Sequence, residues 1–180
     1  TGDISLGANA TAAGSGTING LITGGTIAPG NSIGTLTVER YEGWANTLAM
    51  EVDGTNGTAD KLKVATRTVE GFDVVDTGVA VLTGGTINLS GTRPSDNSRL
   101  VLLDADSSVS GTLTSITDSS GILDKSGRIS GNVLTGPNSL VATWTSPAPF
   151  DASAGMAYLS ALNRIDEIFA HLSNANDTLA

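Results

Sequence analysis

The pentapeptide Thr23-Gly24-Gly25-Thr26-Ile27 recurs letter for letter as Thr83-Gly84-Gly85-Thr86-Ile87. A chain that repeats a glycine turn and a short apolar strand is restricted to architectures built from strand-sized units. Looser echoes occur at Gly16-Thr17-Ile18, Gly20-Leu21-Ile22, Gly111-Thr112-Leu113, Gly127-Arg128-Ile129 and Gly131-Asn132-Val133. Short strands, each preceded by a small turn residue, suit a right-handed parallel β-helix, in which every strand pairs with its equivalent one turn on. A two-sheet sandwich also shows short strands between frequent turns, so the pattern alone leaves both all-β folds open. As a solenoid, the first ~150 residues would make about six coils. At a strand spacing of about 4.8 Å these would form a rod about 30 Å long.

Residues 24–38 read GGTIAPGNSIGTLTV, a short strand, a Pro-Gly-Asn-Ser turn and a second alternating strand without a break. Pro29 fixes its own φ and Gly30 can adopt φ > 0, which suits the middle of a tight turn, while Asn31 and Ser32 can bond nearby backbone. In the next strand, Leu36 and Val38 share a face and make the expected buried pair.

That string and the strands after it resemble the C-terminal part of the passenger domain of bacterial autotransporters, proteins of the type V secretion pathway. The resemblance lies in several motifs in order, and covers roughly residues 20–145. After the Pro-Gly-Asn-Ser-Ile-Gly-Thr-Leu-Thr-Val turn come Tyr41, Leu48-Ala49-Met50-Glu51-Val52-Asp53, Asp60-Lys61-Leu62-Lys63-Val64 and Gly84-Gly85-Thr86-Ile87-Asn88-Leu89. Leu100-Val101-Leu102-Leu103-Asp104-Ala105 and Val109-Ser110-Gly111-Thr112-Leu113 continue the series. Residues 65–79 form a longer link than the family's usual one and read as an extra or lengthened coil. The resemblance implies the β-helix over the sandwich, with an autochaperone-like region at about 21–145 within coils spanning 1–145.

Composition agrees with a β class. The chain has 23 glycines among 180 residues, with abundant Thr, Ser, Asn and Val, and few strong helix formers before residue 150. Aromatics make up only 4%, too few to fill a wide globular interior but enough for a narrow core of Val, Ile, Leu and Ala. The net charge is −9, from 18 acidic and 9 basic residues, with no Lys/Arg run. Nucleic acid is therefore not an expected partner, because phosphate binding depends on clustered cations. The absence of cysteine rules out disulfide and Cys-metal scaffolds. No apolar run is long enough for a membrane-spanning helix. The opening Thr1-Gly2-Asp3 lacks the basic and apolar regions of a secretory signal, so under the resemblance the chain is expected to be a fragment.

An open solenoid end exposes unpaired strand edges, and the hairpin-like stretch 126–144 is the expected C-terminal cap. Tyr41 and Trp44 are expected to cover a coil edge, and Trp144 to help close the C-terminal end. At Ser146-Pro147-Ala148-Pro149 two prolines stop strand pairing and begin a linker over 146–153. Beyond it, Leu159, Leu162, Ile165, Ile168, Phe169 and Leu172 recur at helical spacing. They predict one short amphipathic α-helix over 154–173, followed by a tail over 174–180. The resemblance places this helix near the junction with an outer-membrane barrel. Self-association through 154–172, or packing on the β-rod, fits its apolar stripe equally well.

Residues suited to chemistry are few. Gly30-Asn31-Ser32-Ile33-Gly34 matches the G-x-S-x-G nucleophile elbow, but an elbow needs a helix after it, whereas Thr35-Leu36-Thr37-Val38 continues as strand. His171 is the one histidine and has no Cys or second His with which to bind zinc. The acidic segment 53–60 places Thr55 and Gly57 where an EF-hand needs ligands, and Asp53, Asp60, Asp104 and Asp106 read as solvated loop residues. Asp73 and Asp76 near Arg67, with Trp44 elsewhere, are the best set for a β-helix carbohydrate enzyme, and they are sparse. Asn-x-Ser/Thr triplets at Asn9, Asn56, Asn88 and Asn176 are what a chain rich in Asn and Thr produces by chance. No catalytic, metal or cofactor site is expected.

The resemblance therefore implies a non-catalytic structural segment that promotes folding and export of a passenger at the surface of a Gram-negative bacterium. Its partners would be its own upstream passenger coils and its own C-terminal outer-membrane barrel. An adhesin or host-receptor-binding module and a carbohydrate-active enzyme are the competing classes.

Overall fold

A computed structural model describes residues 2–70, 72–123 and 131–144. They belong to the first of two units, Thr1–Ser146. The second, Pro147–Ala180, lies outside the described residues, as do the helix expected over 154–173, the linker before it and the tail after it. Among the described residues every regular element is a strand. Thirteen strands make one curled, mixed sheet, and two more make a separate hairpin.

Most of the sheet consists of three parallel ladders that the chain visits in turn. The first comprises β2 (Gly16–Pro29), β3 (Thr35–Glu42), β6 (Lys61–Val64) and β11 (Arg99–Ala105). Its register aligns Leu36, Leu62 and Leu103, and beside them Val38, Val64 and Ala105. The second runs through β1 (Ile4–Gly14), β2, β3, β9 (Val79–Thr83) and β12 (Ser108–Thr112), aligning Ile4, Ile22, Tyr41, Ala80 and Val109. The third runs through β1, β2, β4 (Thr47–Asp53), β10 (Thr86–Thr92) and β13 (Ser115–Asp118), aligning Ala12, Ile27, Leu48, Ile87 and Ile116. The longer ladders are thus five strands deep, one fewer than the six coils expected from repeat length.

Alternation explains why these strands form and which face they bury. Leu36 and Val38 are 6% and 0% exposed, while Thr35, just before them, is exposed and Thr37, between them, is half-buried, the period-2 pattern of a one-sided strand. Stacked in register, the buried residues of these ladders make columns of Leu, Ile and Val that belong to one continuous core, while Ile116 at the end of the third ladder is exposed. This is how a chain with few aromatics fills its interior. Each fully buried aliphatic side chain contributes about 1.5–3 kcal/mol.

Of the two expectations for 65–79, an extra or a lengthened coil, the structure shows a lengthened link and no added strand in the ladders. Ala65 N–H donates to Val38 O at 2.8 Å and Gly78 N–H to Glu39 O at 2.7 Å, so the chain leaves and rejoins the ladder at adjacent residues of β3. Between these points β7 (Thr68–Val69) and β8 (Phe72–Asp73) pair only with each other, antiparallel. The excursion is an external hairpin, and it leaves the register of the ladders undisturbed.

The exact repeat also acquires a position. Thr26 and Thr86 flank Thr47 on the third ladder, so the two Gly-Gly pairs lie one strand to either side of the Ala45-Asn46 corner. Asn46 is 2% exposed and accepts a hydrogen bond from Tyr41 Oη at 3.0 Å. A Cβ at Gly85 would lie 2.9 Å from Asn46 Oδ1, so Gly85 keeps its side of this corner free where Asn46 needs room, while a Cβ at Gly25 would meet Ala10 O and Leu6 instead. Gly85→Ala is expected to cost about 1–3 kcal/mol by overpacking. Gly7→Ala, where a Cβ meets nothing within 4 Å, should stay within about 0.5 kcal/mol. Urea midpoints of the two variants check this contrast.

At the far end of the first ladder the pairing changes direction. β14 (Gly131–Thr135) and β15 (Ser139–Trp144) form an antiparallel hairpin, and β15 pairs antiparallel with β11, setting Leu140 opposite Leu103. This is the described part of the hairpin expected over 126–144; residues 126–130 lie outside the described residues.

Candidate functional site: a buried carboxylate beneath the Pro-Gly-Asn-Ser turn

Gly30 adopts φ 85°, the left-handed conformation that the sequence requires of it, and its N–H donates to Gly14 O at 3.0 Å. Asn31 and Ser32 are exposed on the outside of the turn. The inside is occupied by Asp60. A Cβ at Gly30 would lie 2.7 Å from Asp60 Oδ1 and 2.9 Å from Gly34 N, so the turn closes over this carboxylate only because position 30 has no side chain.

Asp60 is placed by the short hairpin of β4 with β5 (Thr58–Ala59), which delivers it to the start of β6. It is 4% exposed. Its Oδ1 accepts the Gly34 N–H at 2.9 Å and its Oδ2 the Glu51 N–H at 2.8 Å. The backbone answers in kind: Asp60 N–H donates to Glu51 O and Lys61 N–H donates to Gly34 O, both at 2.9 Å. Four hydrogen bonds therefore clamp the turn before β3, the middle of β4 and the start of β6. Two of them are charge-assisted and stronger than neutral ones.

Burial pushes the Asp60 carboxyl above the ordinary aspartate value; the Glu51 and Gly34 N–H donors pull it back in part, and the Glu51 charge raises it further. A shallow cavity of about 200 Å³ opens beside it, with Pro29, Ser32, Glu51 and Ser90 in its wall. Its chemistry is that of a structural clamp. No group of three or more His, Cys, Asp or Glu residues placed to hold a metal ion occurs among the described residues. The other carboxylates expected to be solvated loop residues, Asp53, Asp104 and Asp106, are engaged by protein donors. Asp53 accepts from Thr55, Asn56 and the Asn56 amide. Asp104 and Asp106 pair with Lys63 at 3.0 and 2.5 Å.

The three aromatic cap candidates part company. Tyr41 does not cover an edge: it lies inside the second ladder between Ile22 and Ala80, 1% exposed. Burial pushes its phenol far above the usual range, opposed by its bond to Asn46. Trp44 is 64% exposed, turned outward beside Ala45, whose φ is 45°. Trp144 is fully buried, and its Nε1–H donates to Ile122 O at 3.0 Å. It joins the hairpin to the loop after β13.

Of the carbohydrate-enzyme set, the described side chains Arg67, Asp76 and Trp44 do not line one common depression; the Asp73 side chain lies outside the described residues. Arg67 approaches Glu39 at 3.7 Å, and Asp76 lines a depression of about 300 Å³ with Asp3, Glu39 and Arg40, to which Trp44 and Arg67 do not contribute. Ser32 of the G-x-S-x-G string precedes the strand β3, where an elbow would need a helix. His171 lies outside the described residues. Sequence reasoning missed the clamp and the buried Asn46. The one signal for Asp60 was its place directly before the alternating Lys61-Leu62-Lys63-Val64, in phase with the buried Leu62 and Val64. The sequence matches no protein-family model and no curated protein.

Proposed function

We propose that the chain is a non-catalytic structural segment of an autotransporter passenger, a right-handed parallel β-helix that promotes folding and export of the passenger at the bacterial surface. The observation that carries this reading is the Asp60 clamp, because it lies within the motif series on which the resemblance rests. It joins the Pro-Gly-Asn-Ser turn to the Asp-x-Leu-x-Val strand. The parallel ladders supply the physics: a solenoid gains stability from nearest-neighbour interfaces and needs a stable, capped end on which further coils can stack. The antiparallel hairpin β14–β15, anchored by Trp144, provides that end. In this reading the partners are upstream coils of the same passenger and its own outer-membrane barrel, and the setting is the outside of a Gram-negative cell.

Deleting residues 21–145 from the full-length parent is expected to abolish surface exposure of the remaining passenger, read by protease accessibility on intact cells, while the barrel still inserts. Unchanged display with lost adhesion would overturn the folding role. That outcome would favour a second reading, a receptor-binding module, for which the outward-facing Trp44 is the supporting observation, since exposed aromatics serve as binding anchors.

A further inference from the structure

The chain contains two Asn-Gly dipeptides, Asn19-Gly20 and Asn56-Gly57, and folding treats them differently. Glycine after asparagine leaves the following backbone nitrogen unshielded, so that it can approach the asparagine side-chain carbonyl. Asn56 and Gly57 are both exposed in the turn between β4 and β5. Gly57 has φ 66°, a Cβ placed on it would meet nothing within 4 Å, and its N–H has no hydrogen-bond partner among the described residues. The Asn56 side chain is oriented: its Nδ2 donates to Asp53 Oδ2 at 2.6 Å, while Asp53 Oδ1 accepts the Asn56 N–H at 3.2 Å. Gly20, by contrast, is buried. Gly2 N–H donates to Asn19 O at 3.0 Å, and a Cβ at Gly20 would lie 2.5 Å from Gly2 O. The peptide linking Asn19 to Gly20 is thus packed against another segment of the chain.

We propose that Asn56 is a self-modifying site, which the native fold exposes to succinimide chemistry while protecting Asn19. The Gly57 nitrogen bonds to Asn56 Cγ and the Cγ–Nδ2 bond breaks. The proton from Gly57 N reaches the departing nitrogen through solvent, and ammonia leaves. Water then opens the ring. Attack at the side-chain carbonyl gives aspartate, and attack at the main-chain carbonyl gives isoaspartate, which routes the backbone through the side chain. Either product replaces the donor to Asp53 by a second carboxylate. The turn that carries this change joins Val52 and Asp53 to Thr58 and Ala59 and delivers Asp60 to its clamp, so modification loosens the clamp.

The test is peptide mass mapping of the folded chain held in mildly alkaline buffer, with an isoaspartate-specific methylation assay and a parallel sample in denaturant. In the folded chain the peptide containing Asn56 is expected to convert at least about tenfold faster than that containing Asn19, because the Asn56-Gly57 peptide has room to reach the attacking geometry whereas the Asn19-Gly20 peptide is packed against Gly2. In denaturant the two should convert at similar rates. Equal conversion in the folded chain, or an inert Asn56 that reacts only when unfolded, would overturn the proposal. Asn56→Asp, which supplies one product directly, is expected to lower the urea midpoint; an unchanged midpoint would overturn the link to the clamp.

Discussion

Trp144→Ala is expected to lower stability by about 3–5 kcal/mol, the range for truncating a fully buried large aromatic side chain. With a urea slope of about 1–3 kcal/mol/M, this shifts the midpoint by more than about 1 M. The reason is position as well as size. Trp144 is fully buried, pairs with Gly131 in the hairpin, and binds Ile122 O through its indole N–H. Its backbone N–H also donates to Ser98 O at 3.0 Å, so one residue ties β15 to the loop after β13 and to the segment before β11. Trp144→Phe keeps most of the apolar contact and loses the indole hydrogen bond, an expected loss of about 1–3 kcal/mol if Ile122 O is left unpaired. A midpoint for Trp144→Ala near that of the unmodified chain would mean that the hairpin does not support the ladders.

Asp60→Ala is expected to cost about 3 kcal/mol or more, because it removes two charge-assisted hydrogen bonds and leaves the Gly34 and Glu51 N–H groups without acceptors. Asp60→Asn should recover only part of the loss: its amide offers one oxygen, and its NH2 faces the second backbone donor. The effect carries a pH signature. Burial raises the folded-state value of this carboxyl above the ordinary aspartate value. As pH falls through the raised value, the native state takes up the proton before the unfolded state does. The advantage of the unmodified chain over Asp60→Ala should therefore widen on acidification from neutral toward the ordinary aspartate range. Urea titrations of both proteins at stepped pH check the sign, and a narrowing gap would show that the hydrogen bonds outweigh burial.

Asp53 and Asp106 respond in the opposite sense. The Asn56 donors hold the Asp53 carboxyl below its usual value, and the Lys63 ammonium does the same for Asp106. Their contributions are lost as pH falls through those lowered values. Both carboxylates face solvent, so each contribution is small.

Legibility in the sequence followed the range of the interaction. The burial of Leu36 and Val38 was readable because strand alternation is local. The left-handed Gly30 was readable because a Pro-Gly turn demands it. The letter-for-letter repeat marked equivalent positions, although only the register shows that Asn46 lies between them. The external hairpin at 65–79 was not readable, since its short strands look like those of a coil and what distinguishes them is the closure at Val38 and Glu39. The place of Tyr41 inside the second ladder was not readable, because an aromatic residue following a turn strand carries no mark of which column it joins. The role of Asp60 was hidden as well. Its partners Gly34 and Glu51 stand 26 and 9 residues away, and its phase with Leu62 and Val64 marks a buried position without naming what the carboxylate binds.

Native-state hydrogen exchange with peptide mass analysis tests most directly whether the capped C-terminal end is the stable base on which other coils stack. Amides of β6, β11 and β15, around the column Leu62, Leu103 and Leu140, should exchange only through global unfolding, while those of β1 exchange earlier by local opening. Protection that is equal throughout, or that is lost first at β11 and β15, would contradict the account.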